Sequence, residues 1–170
     1  MKAVESVIMF ICLITIGACI EDDLSVIEQE RVKEFPLVDQ ALWPHFEAFE
    51  EAARERGFNV DLTLTDITGA IEEIHDDGVA GTCTFGGRTN LRDIRIDESF
   101  WNQAPLLIRE YIIFHELGHC FLGRGHTEAC LPNRTYASMM RSGNGTCRDN
   151  YNTATRAYYI DELFGLDVGP

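Results

Sequence analysis

The sequence predicts an α+β domain on three observations. Helical periodicity occupies residues 36–56, period-2 alternation recurs between residues 61 and 97, and a nearly all-apolar helical segment follows over residues 102–122. A helix, then a cluster of short strands, then helices is an α+β order rather than alternating βα units. The 170 residues leave room for one ordinary domain. The expected organisation is a signal peptide over residues 1–18, a lipidated cysteine and tether over 19–35, and one folded domain over 36–170.

The first helix places Leu37, Leu42, Phe46 and Phe49 on one face and Glu47, Glu50, Glu51, Arg54, Glu55 and Arg56 on the wet face. Pro44 either kinks it or marks its true start, and Gly57 stops it. His45 reads as an ordinary packed or surface histidine. Strands are expected at 61–65, 67–74, 79–85 and 91–97, punctuated by Asp76-Asp77-Gly78 and Gly86-Gly87. In the last of these, Leu91 faces away from Ile94 and Ile96. Short connections predict an antiparallel or mixed sheet. His75, at a strand end, is expected to face solvent.

Asn102 or Gln103 should open the next helix, with Pro105 in its first turn. Apolar residues from Leu106 to Leu122 cover most of its circumference, so it should be buried. Its strongly polar groups are His115, Glu116 and His119. Residues four apart share a helix face, so the two imidazoles can address one metal ion, with Glu116 placed beside it. Buried without partners, such groups would be costly, and a metal supplies the partner. Gly123 ends the helix, and Arg124-Gly125 can swing His126 back as a third ligand. Glu128, Asp161 and Glu162 stand in reserve for that role. A helix over 153–164 closes the domain, with Tyr158, Tyr159, Leu163 and Phe164 inward and Asp161 and Glu162 in solvent.

Lys2 followed by an apolar run over residues 7–16 has the layout of a secretory signal, too short for a comfortable membrane span. Ile16-Gly17-Ala18-Cys19 resembles the lipobox of bacterial lipoproteins, which implies lipidation of Cys19 and a membrane anchor. Glu21-Asp22-Asp23 resembles the surface-export patch of some Gram-negative lipoproteins; a solvated tether reads equally well. Cys12 would leave with the signal. The remaining Cys83, Cys120, Cys130 and Cys147 suit two disulfides in an oxidising compartment, with three possible pairings. Cys130–Cys147 would staple the loop after the histidines, leaving Cys83–Cys120 to tie a strand to the histidine helix. A Cys₄ zinc site is the rival, but no CxxC pair is present. The net charge of −14 argues against binding a nucleic-acid phosphate backbone, which needs clustered Lys and Arg.

With these residues in view, the chain resembles the metzincin zinc endopeptidases, whose pattern is HExxHxxGxxH followed by a methionine turn. His115, Glu116 and His119 match position for position; Gly123 and His126 each come one residue late. Met140 in Ser138-Met139-Met140 resembles the turn methionine, with Met139 as the fallback. The resemblance implies a small metzincin-like catalytic domain holding one Zn²⁺ through His115, His119 and His126. It implies a peptide or protein substrate, bound as an added strand on a sheet edge within residues 79–97, and Glu116 as general base. Ser142 stands where some members place an oxyanion-assisting tyrosine. Two other classes stay open: a catalytically silent zinc-containing lipoprotein that binds a partner, and a zinc amide hydrolase with a non-protein substrate. Glu116 argues against the first, since a structural site needs no general base.

Overall fold

The structure, a computed structural model, describes residues 33–86 and 91–168. The expected signal peptide, Cys19 and most of the tether lie outside the described residues, as does Gly87. Among the described residues, four α-helices and a three-stranded sheet make the α+β architecture the sequence predicts. Among the described residues, no helix is long and apolar enough to cross a membrane.

Helix α1 (Trp43–Glu55) begins with Pro44 in its first turn, so the proline marks a start and not a kink. A 3₁₀ turn, Gln40–Leu42, leads into it. Its apolar stripe holds Leu42, Phe46 and Phe49, all fully buried, whereas Leu37 lies upstream and is exposed. Glu50, expected on the wet face, is buried instead. It accepts from the Leu62 backbone N–H and from Lys33 Nζ, both at 2.6 Å.

Those bonds help explain the one strand that fails to form. Residues 61–65 alternate, but they fold as a 3₁₀ turn at Leu62–Leu64. Asp61 accepts from the Thr63 backbone (3.1 Å) and hydroxyl (2.6 Å), and Thr65 Oγ1 donates to the Leu62 carbonyl at 2.6 Å. These local side-chain bonds compete with strand pairing. Leu62 is buried while Leu64 is exposed, so the alternation does not describe one face.

The sheet is mixed: β1 (Ile67–Glu72) runs parallel to central β3 (Arg92–Asp97), and β2 (Gly81–Phe85) pairs antiparallel on the other side. Ile94 and Ile96 are fully buried and Leu91 is exposed, as the alternation predicts. Gly69 in β1 admits the segment before α1: a Cβ there would lie 3.0 Å from Val38 Cγ1 and 3.2 Å from Leu42 Cδ1. The outer edge of β1 bonds that segment through Asp39 N to the Gly69 carbonyl at 2.8 Å. Among the described residues, β2 is the edge without a further neighbour.

The long helix starts later than the sequence predicts. Asp97 caps a separate short helix, α2 (Glu98–Gln103), by accepting from Phe100 N at 2.7 Å. Ala104 is extended, as a residue before proline prefers, and α3 (Leu106–Cys120) begins after Pro105. Burial in α3 is confined to its second half from Ile112 onward; Leu106 in the first turn is exposed. Phe49 joins α1 to the rest of the core through edge contact with Phe114 (ring centroids 5.2 Å apart) and a tilted contact with Phe164 (5.2 Å). Helix α4 (Arg156–Leu163) buries Tyr159, Ile160 and Leu163.

Both disulfides take the pairing favoured from sequence: Cys83–Cys120 between β2 and the end of α3, and Cys130–Cys147 within the following loop. Cys83 and Cys120 are 37 residues apart, for which loop-closure entropy gives about 4 kcal/mol of stabilisation. The double substitution Cys83→Ser/Cys120→Ser should therefore lower the unfolding free energy by about 2–5 kcal/mol in urea titration. An unchanged midpoint would show that this link does not constrain the unfolded chain.

Candidate metal centre

The last two turns of α3 present His115 and His119 on one face, four residues apart. The third histidine returns because α3 ends in a glycine stop. Gly123 has φ +67°, a left-handed stop, and Arg124 N donates back to the Gly118 carbonyl at 2.9 Å. Phe121 and Leu122 continue the coil before the glycine breaks it. The longer spacing to Gly123 and His126 is thus absorbed by a later helix stop. Thr127 N, bonded to the Met140 carbonyl at 2.8 Å, then fixes the segment that carries His126.

The three side chains converge through one atom each. His115 Nε2 lies 3.1 Å from His119 Nε2 and 3.2 Å from His126 Nε2, and the last two are 3.0 Å apart. The remaining nitrogens of two rings face carbonyls: His115 Nδ1 lies 2.8 Å from Met139 O, and His119 Nδ1 lies 2.6 Å from Arg124 O. A carbonyl only accepts, so Nδ1 carries the hydrogen in both rings and Nε2 holds a bare lone pair when the ring is neutral. Both rings favour the neutral form. Burial, chiefly, pushes His115 down to about 4 and lowers His119 as well. His126 can offer a hydrogen to only one of these two lone pairs. A cation satisfies all three.

The spacing fits such an ion. Zinc–nitrogen bonds of about 2.0–2.1 Å in a tetrahedral shell separate the nitrogens by about 3.3 Å. Among the described residues, His115, His119 and His126 are the group able to hold a metal ion. Glu128, Asp161 and Glu162 take no part. Glu128 accepts from Ser142 N at 2.7 Å, and Asp161 pairs with Arg56 at 2.7 Å. Glu162, expected in solvent, is half-buried between Arg124 Nη2 and Ser138 Oγ, both at 2.6 Å. It is spent on anchoring the His126 turn to α4. His45 packs edge-on against Trp101, and His75 is exposed; neither approaches the site.

No family model, no curated protein and no solved structure matches this chain.

Glu116 is 3% exposed, and burial pushes its carboxyl up to about 8. Its carboxyl lies against β2 at Gly81, where a Cβ would come within 3.0 Å of Oε1. Both line a cleft of about 830 Å³ together with the three histidines. Met139 and Met140 are fully buried. Met140 packs its sulfur against α3, since a Cβ on Gly118 would lie 2.5 Å from Sδ, and Met139 supplies the carbonyl that orients His115.

Three cleft residues were missed in the sequence. Tyr111, one turn before His115, donates to the same Met139 carbonyl at 2.9 Å, and burial raises it to about 12. Its i−4 spacing was the available signal. Tyr151 and Arg141 line the cleft from loops with no periodic signature.

Replacing His126 with alanine should weaken zinc binding by more than the roughly 10–100-fold typical of losing an outer-shell partner. Chelator competition measures this; an unchanged affinity would remove His126 from the ligand set.

Proposed function

We propose that the protein is a zinc-dependent, metzincin-like metallopeptidase that hydrolyses peptide bonds in the cleft beside β2. The observation that carries this reading is the convergence of three histidine Nε2 atoms next to a buried carboxyl that opens on a large cleft. Imidazoles suit zinc among the divalent ions, and three protein ligands leave a coordination position for chemistry. The methionine pair under α3 fits a metzincin-like turn. The two disulfides fit an exported protein.

Zinc held there would supply the Lewis acidity that activates water and polarises the scissile carbonyl. Glu116 directly follows the first histidine, and its role is proton transfer. It accepts the proton of the attacking water and delivers it to the leaving nitrogen. Among the described residues no group donates a hydrogen bond to its carboxyl, so both oxygens stay available for that task. Gly81 keeps the strand from displacing it. The free edge of β2 offers backbone donors and acceptors to an extended peptide, which would align its carbonyl along the cleft.

The decisive substitution is Glu116→Gln, which keeps the size of the side chain and removes the base. It should retain one zinc per chain while cleavage of casein or a peptide library falls by about 10²–10⁴-fold. Full zinc occupancy in a wild-type protein that cuts no peptide would favour a silent metal-binding protein instead.

A further inference from the structure

Among the described residues, Arg141 is the one lysine or arginine that lines the cleft. It follows Met140 directly, and Met140 is held against Gly118 by its sulfur and to Thr127 by its carbonyl. The backbone at Arg141 is therefore fixed in the same frame as the histidines. Its guanidinium is also fixed. The guanidinium carbon stands 5.7 Å from the Tyr111 ring centroid and 5.2 Å from that of Tyr136. Tyr111 in turn lies 6.3 Å from the His115 ring, so one aromatic ring separates the guanidinium from the metal-site histidine.

The charge is only partly used. Nε pairs with Asp149 Oδ1 at 2.5 Å, and among the described residues no acceptor takes Nη1 or Nη2. Asp149 is a weak competitor, because its side chain is 66% exposed against 24% for Arg141, and exposed ion pairs hold little energy. Gly143 leaves room for the fork: a Cβ there would sit 3.3 Å from Nη1. By contrast, Arg124 and Arg156 are spent on Glu162 and Glu110. The cleft lining also includes Val79, Phe100, Ile108 and Ile112, whose low polarity strengthens a charge–charge contact.

We propose that Arg141 sets the substrate class of this cleft by receiving a carboxylate of the bound peptide near the bond presented to the histidine site. A guanidinium fork flanked by two rings is preorganised for bidentate carboxylate binding, which an ammonium would not match. The carboxylate comes either from an acidic side chain or from the peptide's free C-terminus. The inference rests on the peptidase reading for its substrate but not for its test.

The test uses an amidated, neutral peptide containing glutamines, a set with one Glu replacing Gln at each position in turn, and the neutral peptide with a free C-terminus. Affinity is measured by fluorescence anisotropy on zinc-loaded Glu116→Gln protein, and kcat/KM on wild type. A Glu peptide, or the free-acid peptide, should gain about tenfold or more over the neutral amide. The arm that gains identifies the carboxylate. The gain should fall to about onefold when Arg141→Gln is added and rise with Asp149→Asn, which removes the competing anion without touching the ring contacts. Equal affinity for all peptides, binding of none, or a gain that survives Arg141→Gln would overturn the assignment. A preference in binding with no cleavage of any peptide would keep the assignment and overturn the peptidase reading.

Discussion

The site depends on two hydrogen bonds that decide where two protons sit. Met139 and Arg124 carbonyls hold the Nδ1 hydrogens of His115 and His119, so both Nε2 lone pairs are turned toward one point. Much of the surrounding structure serves to place those carbonyls. The left-handed glycine stop after α3 brings Arg124 back to bond the Gly118 carbonyl of the last turn. The Arg124–Glu162 pair and the Ser138–Glu162 bond lock that turn and the methionine loop to α4. The Cys83–Cys120 link holds the end of α3 to the cleft strand, one residue after His119.

The arrangement carries an electrostatic cost that points to its use. Lone pairs about 3 Å apart repel, and a carboxyl at 3% exposure beside them loses most of its solvation. An apolar core of the same volume would be easier to stabilise. A divalent cation reverses both terms, because it attracts the imidazoles and stabilises the ionised form of Glu116. Local departures from the most stable packing are expected where a protein does chemistry.

The helices and the central strand were legible because burial on one face imposes a period, as with Phe46 and Phe49 on α1 or Ile94 and Ile96 on β3. His115 and His119 were legible for the same reason, their spacing being a property of the helix itself. The disulfides take the favoured one of the three pairings the sequence allowed. Misreadings arose where side chains overrode the period. Asp61 and Glu50 captured the backbone at Leu62–Leu64, while the Asp97 cap set a short helix that no period announces and Pro105 delayed the start of α3 to Leu106. Glu162 looked solvent-facing because nothing local reveals that Arg124 and Ser138, both distant in sequence, meet it. Arg141 and Tyr151 were invisible as cleft residues, since loops placed by tertiary contacts leave no periodic trace.

The central claim is that the three Nε2 atoms share one metal ion. Crystals of the purified protein, grown without added metal and measured on both sides of the zinc absorption edge, address it directly. The account predicts one anomalous peak per chain, about 2.0–2.1 Å from Nε2 of His115, His119 and His126. A well-ordered site with no peak there, or with a metal bound by other residues, would contradict it.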